Sequence, residues 1–504
     1  MTGGFDFTVL APLGFVSIGA LSVLLVEMAL SRSLRGDVPA DTRLARTSRI
    51  GSVLAITSTV ALALSIYAAI YMFWAGVETV FQPAHPMLQL DSLSTFAIAL
   101  VGFGALLSVW MSITYLPALH INHGEYYALL LLSVAGMFVL VSSVDLMTVF
   151  LGVELTSIPI YALAGFNRRK LRSNESALKY FLLGAFTSAI LLYGMALLYG
   201  ATGHTDFQGI SREFARGGAL SLAGLALVVA GLSFKIAAVP FHQWTPDVYE
   251  GAPTSVTAFM SVTVKTAAFV VLLRFLVLAL PELGDRIAIL LQVLAALTMI
   301  VGNVMAIIQT NVKRLLAYSS IAHAGYILVA FATGTAEAWT AVLFYLFVYL
   351  FMTLGAFCVV IALAQGGREC EEVDDFSGLA TRRPALAALM TLFLLSLAGI
   401  PGTAGFMAKF HLVVAAVNAD QIVLVLILVA TSVVSLFYYL KVPIAMYMRE
   451  PMAEPAAETS SSEIVVLAVC AAAILYFALF SQSDPFGTGI QALDVAGRAA
   501  DFLN

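Results

Sequence analysis

Charge is scarce in this chain of 504 residues: Asp, Glu, Lys and Arg make up 11%, against about 25% in ordinary soluble domains. That share is too small to coat soluble domains of this total length. Cysteine is scarcer still. Cys358, Cys370 and Cys470 are far apart and cannot supply the four thiolates of an iron–sulfur cluster or a structural zinc site, so no metal or redox cofactor is expected in this chain. Basic residues number 25 against 30 acidic ones, for a net charge of −5. They lie scattered between apolar blocks, which excludes the basic stripe that nucleic acid requires. The start, Met1 to Phe7, lacks the positive region of a signal peptide and is followed by no obvious small-residue cleavage site, so the first apolar run is expected to stay as a span. Long polar stretches are missing too. The largest, at 31–49, 201–218, 366–383 and 449–462, leave no room for an extramembrane domain.

What the chain does have is apolar sequence, 61% of residues, with a mean hydropathy of +0.96. Runs of about 20 apolar residues, the length that crosses a bilayer, recur almost from end to end. Their centres fall near Ile18, Leu62, Leu100, Val134, Leu155, Ala189, Val229, Ala267, Ala296, Ile321, Leu350, Leu394, Ile427 and Ala472. This predicts an all-α polytopic membrane protein of about fourteen transmembrane helices. With the amino terminus outside, seventeen basic residues fall on the inner side: Arg32, Arg35, Arg43, Arg46, Arg49, Arg168, Arg169, Lys170, Arg172, Lys179, Lys313, Arg314, Arg368, Arg382, Arg383, Lys441 and Arg449. Only Arg212, Arg216, Arg286 and Arg498 fall outside. The positive-inside bias therefore puts both termini on the outer side.

The four remaining cations, Lys235, Lys265, Arg274 and Lys409, lie within spans, and Glu154 is the carboxylate near the middle of one. A charge at mid-bilayer costs about 2.5–3.5 kcal/mol on insertion scales, so such residues usually face a polar interior and serve an ion path. Arg274 lies close to the end of its span, near Pro281, and reads as a structural pair or a snorkelling side chain. Lys235 and Lys265 are too deep to snorkel. Burial favours the neutral amine and a nearby carboxylate favours the ammonium, so moving Glu154 relative to Lys235 would switch that lysine between holding and releasing a proton. A static Glu154–Lys235 ion pair is the plain alternative.

Two spans are interrupted by proline, at Pro240 in the run 231–242 and at Pro401 in the run 397–409. Proline frees carbonyls inside a helix, and discontinuous helices in corresponding positions of two halves mark the ion site of inverted-repeat transporters. Lys235 precedes its break and Lys409 follows its own, the order that inversion would produce. Seven histidines occur. Of these, His242, just past the first break and near Asp247, and His323, flanked by hydroxyls, could relay protons. His411 is a weaker candidate. Each of the three could equally be a satisfied core residue, and no pairing of histidines suits a bis-histidine haem.

Longer motifs carry a family resemblance. The runs 152–163 (GVELTSIPIYAL) and 177–185 (ALKYFLLGA) resemble the antiporter-like subunits of respiratory complex I. The runs 235–254 (KIAAVPFHQWTPDVYEGAPT), with the following VTAF and Lys265, and 309–326 (QTNVKRLLAYSSIAHAGY) resemble the N-subunit branch of the bacterial NADH–quinone oxidoreductases. The resemblance covers about residues 90–445, and the segment from Asp247 to Thr254 separates this branch from its L and M relatives. Lys409 stands where the M branch usually has glutamate. The L branch carries a long lateral helix, for which the residues after Arg449 leave little length.

The resemblance implies fourteen helices with two inverted five-helix repeats and two discontinuous helices. Three amino-terminal helices would occupy 1–120, the repeats 125–280 and 287–448, and a polar loop with a last helix 449–504. It implies a proton path through Glu154, Lys235, Lys265 and Lys409, with His242 and His323 as possible relays. NADH, FMN, iron–sulfur clusters and quinone would belong to partner subunits. The expected partners are the membrane and peripheral subunits of complex I, above all another antiporter-like subunit and the small membrane subunits. Three helices before residue 120 imply the bacterial form and hence a bacterial plasma membrane, with both termini periplasmic. Two other functions fit the same spans: a subunit of a multisubunit cation/proton antiporter, and a structural scaffold whose buried charges only pin helices together.

Overall fold

In hydrocarbon every backbone amide must find its partner within its own segment, so apolar runs of this length fold as helices. The computed structural model describes residues 5–31, 40–83, 85–280, 284–364, 369–451, 459–480 and 492–501. Of the cations used for the topology, Arg32, Arg35 and Arg368 lie outside the described residues, as do the side chains of Arg43, Arg46 and Arg286.

Helices α1 (Ala11–Ser31), α2 (Ala40–Trp74) and α3 (Ser92–Ala118) open the chain, with a two-residue strand pair, β1 (Thr79–Val80) and β2 (Gln89–Leu90), between α2 and α3. Next come α4 (Gly124–Ser142), α5 (Leu146–Ala164), α6 (Leu171–Thr202), α7 (Phe207–Glu213) and α8 (Gly218–Ile236). They lead to two short helices, α9 (Trp244–Gly251) and α10 (Thr254–Phe259), and then α11 (Lys265–Ala279). The later part holds α12 (Gly284–Ile307), α13 (Val312–Thr333), α14 (Ala336–Ala362), α15 (Leu379–Arg382), α16 (Pro384–Ala398), α17 (Ala404–Asn418) and α18 (Ile422–Met448). The chain ends in α19 (Ser461–Phe480) and α20 (Ala492–Ala500).

Thirteen segments among the described residues are long and apolar enough to cross a membrane. The two half-length apolar helices α16 and α17 together make one more crossing, in agreement with the expected count. Burial sorts the helices into two layers. The span of α13 is 100% buried and that of α14 94%, against 28% for α18 and α19, so α13 and α14 form the axis and α18 and α19 face outward. Small residues bring neighbours close, as expected where packing rather than the hydrophobic effect joins helices. A methyl added at Gly224 of α8 would lie 2.9 Å from the Gly194 carbonyl of α6, and one at Gly302 of α12 2.6 Å from the Ala322 amide of α13.

Candidate functional site

The first break begins three residues before Pro240. Helix α8 ends at Ala237, which is left-handed at φ 61°. The freed Val239 N–H donates to Thr298 Oγ1 of α12 at 3.0 Å, while Trp244 Nε1 donates to the Phe234 carbonyl at 3.0 Å. Lys235 occupies the last turn of α8, where a cation meets the negative end of the helix dipole. It is 7% exposed, and its Nζ donates to Ser157 Oγ of α5 at 2.6 Å. Glu154 lies one turn before Ser157 on the same face of α5. Its Oε1 is buried with no hydrogen-bond partner among the described residues, and no ion pair within 4 Å joins it to Lys235. The static-pair alternative is therefore not what the structure holds. Instead the lysine is engaged by a hydroxyl, with a carboxylate nearby on the same helix face.

Lys265 follows a single π-helical turn, Met260–Val264, a local widening often found at functional sites. Its Nζ donates to the Ser320 carbonyl of α13 at 2.6 Å and also bonds the Ser320 hydroxyl. The adjacent Ser319 bonds the Tyr439 hydroxyl of α18. Tyr439 Oη lies 3.1 Å from His323 Nε2, and Tyr345 Oη lies 2.6 Å from His323 Nδ1. His323 therefore joins a polar string across α13, α14 and α18, all of it buried.

At the second break α16 stops at Gly399, with φ 81°, and α17 restarts after Thr403, whose side chain caps the Phe406 N–H. Lys409, in the second turn of α17, is 5% exposed. Its Nζ donates to the freed Ala398 carbonyl at 2.8 Å and to Ser432 Oγ of α18 at 2.9 Å, and lies 4.7 Å from the centre of the Tyr326 ring. Only glycine suits position 399. A side chain there would meet Lys409 Cδ at 2.8 Å and would need a left-handed backbone.

The other candidates stand apart. Arg274 forms a two-pronged ion pair with Asp91, at 2.6 and 2.8 Å, and both side chains are fully buried. It is a structural pair, as its position suggested. His242 lies in the first break, and its buried Nδ1 has no hydrogen-bond partner among the described residues. Asp247 bonds Lys179 at 2.7 Å and Arg314 at 2.8 Å instead. Burial alone would raise the Asp247 carboxyl, but those two cations outweigh it and hold it below its ordinary value. His411 Nε2 likewise has no hydrogen-bond partner among the described residues.

Sequence reasoning missed the partners: Ser157, Ser320, Ser432, Tyr345, Tyr439 and Asp91. It also missed Glu369, from the segment after α14, which bonds Tyr115, Lys170 and Thr254. Among the described residues one group, Glu27, His123 and Glu125, brings three potential ligand atoms within 4.8 Å of one another. It lies on α1 and at the start of α4 and includes none of the lysines.

Residues 143–435 match the family described as NADH:quinone oxidoreductase/Mrp antiporter, transmembrane. NADH-quinone oxidoreductase subunit N of Trichlorobacter lovleyi is 49% identical over 364 residues, which cover 71% of this chain and 75% of that protein. Subunit N 1 of Sorangium cellulosum is 43% identical over 491 residues, 94% of this chain and 95% of that protein. Among solved structures, a chain of respiratory complex I from Thermus thermophilus, with bound aureothin, is 33% identical. It superimposes with a TM-score of 0.76 over 93% of this chain and 97% of its own length. With a family match over more than half its length and a relative alike almost from end to end, this chain belongs to the antiporter-like membrane subunits, in the subunit N family of NADH-quinone oxidoreductase.

Proposed function

We propose that the chain carries protons across a bacterial plasma membrane as part of a complex I-type NADH–quinone oxidoreductase, with all redox chemistry in partner subunits and both termini outside. One observation carries this reading. Three lysines lie buried in the interior, each held by a hydroxyl or carbonyl of another helix, and two of them stand beside helix breaks. A scaffold needs pairs of opposite charge, as at Arg274–Asp91. These lysines have neutral partners, which can release an ammonium or accept an amine without stranding a counter-charge.

In the proposed cycle Lys235 receives a proton from the inner side. Movement of α5 against α8 then changes its distance to Glu154. At an effective dielectric near 20, widening a charge pair from about 5 to about 10 Å removes about 1.7 kcal/mol of attraction, enough to change an ammonium's occupancy some fifteenfold. The proton passes toward Lys265 and then along Ser320, Ser319, Tyr439 and His323. Lys409, between the Ala398 carbonyl and Ser432, is the outward gate. His242 has no partner in this string and is a relay only if the break rearranges.

The related function, a subunit of a cation/proton antiporter, follows from the breadth of the matching family. Gentle purification from native membranes separates the two. Copurification with flavin and iron–sulfur polypeptides, and proton uptake driven by NADH in vesicles, support the oxidoreductase. A sodium gradient that drives proton movement without NADH would instead establish the antiporter.

A further inference from the structure

Away from the lysine line, α2, α3, α14, α19 and α20 enclose a groove of about 560 Å³. Its walls are almost wholly apolar and rich in rings, among them Trp74, Phe96, Phe103, Phe347 and Phe477. Ile70 and Trp74 on its edge are each 45% exposed, so the groove opens sideways to the lipid. We infer that it binds one phospholipid with an anionic headgroup, in the outer leaflet for the orientation proposed above.

Depth identifies the occupant. From Ile66 to Trp74 the wall on α2 rises eight residues, about 12 Å, and the stretch of α3 from Thr95 to Phe103 covers a similar height. Half of a hydrocarbon core of about 30 Å is about 15 Å, the reach of one leaflet's acyl chains. A partner's spanning helix would need a groove along the whole thickness, and this one stops half-way.

The rim supplies the polar end. Val495 of α20 and Trp74 both line the groove, and the Arg498 guanidinium, one turn after Val495, lies 5.1 Å from the centre of the Trp74 ring. Trp74 and Tyr476 are residues of the kind that settle at headgroup level. Asp494 is the acidic residue one turn before Arg498, and among the described residues at the rim Arg498 is the cation that meets the phosphate. Acyl chains gain no hydrophobic energy by leaving the bilayer for the groove. Selection therefore rests on packing against the rings and on that one charge. A basic side chain near anionic lipid is worth about 1 kcal/mol, roughly a fivefold preference.

The test uses the intact complex, with p-benzoylphenylalanine in place of Phe103, reconstituted in vesicles of equimolar phosphatidylglycerol and phosphatidylethanolamine. After irradiation, mass spectrometry of this chain should show phospholipid adducts, with phosphatidylglycerol enriched about fivefold. Arg498→Gln should return the ratio to parity without reducing NADH-driven proton uptake. Ala99→Trp, which fills the groove, should abolish the adduct. A polypeptide adduct, parity in the parent protein, or an adduct that survives Ala99→Trp would overturn the inference. None of these outcomes bears on the lysine path.

Discussion

Gly399→Ala tests how the second break positions Lys409. The added methyl carbon would lie 2.8 Å from Lys409 Cδ and 3.2 Å from Nζ, on a backbone at φ 81°. Holding a non-glycine residue in the left-handed region costs about 1–2 kcal/mol. The contact is with the end of a flexible side chain, so the lysine moves aside and the fold survives. Its Nζ then leaves the Ala398 carbonyl and Ser432, now at 2.8 and 2.9 Å, and each hydrogen bond to a charged group is worth about 1.5–3 kcal/mol. A natural control lies three residues on. Gly402 has φ 91° and open space where its methyl would go, so Gly402→Ala incurs the backbone cost alone. Both variants should assemble, with the larger loss of thermal stability in Gly399→Ala, which gives up the lysine's hydrogen bonds as well as the backbone cost. In proteoliposomes Gly399→Ala should lower NADH-driven proton uptake about tenfold or more, since losing even one of those two bonds, at about 1.5 kcal/mol, slows a transfer step about tenfold, and Gly402→Ala should leave it near normal. Equal proton uptake by the two variants would refute the assigned role of Lys409's position.

Removing one partner of the buried Arg274–Asp91 pair leaves an uncompensated charge, at a cost of about 3–5 kcal/mol. Arg274→Met should therefore deplete the chain from membranes, and Arg274→Met with Asp91→Asn should restore part of it, as read by immunoblot. Glu369 bears on pH. Burial alone would raise its carboxyl, but Lys313 and Lys170, with hydrogen bonds from Lys170 and Tyr115, hold it well below the ordinary 4.5. A depressed carboxyl contributes stability that is complete above its unfolded value and is lost as pH falls toward the depressed one. Glu369→Gln should lower the melting temperature by a constant amount at neutral pH, and the gap should close below about 4.5 in a thermal scan of the detergent-solubilised complex.

Much of this architecture was legible in the residues. Apolar run length gave the crossings, and Pro240 and Pro401 marked both breaks, although the helices end earlier, at Ala237 and Gly399, where the backbone turns left-handed. Arg274 read as structural because it lay near a span's end. Its partner stayed hidden, since Asp91 caps the start of α3 and falls outside any apolar run. The hydroxyls beside His323 could be read as its polar neighbours, but which hydroxyls meet the lysines was illegible for another reason. Ser157, Ser320, Ser432 and Tyr439 are ordinary residues of membrane helices, and only the packing of α5 on α8 and of α13 on α18 turns them into partners. The same holds for Asp247, whose sequence neighbour His242 is not its partner, because α9 turns the carboxylate toward Lys179 and Arg314.

The most direct test of proton passage is the number of protons moved per NADH oxidised by the reconstituted complex carrying Lys235→Met. Methionine keeps much of the stem and removes the charge, so assembly should persist while fewer protons cross per electron pair. An assembled complex with an unchanged ratio would show that Lys235 carries none.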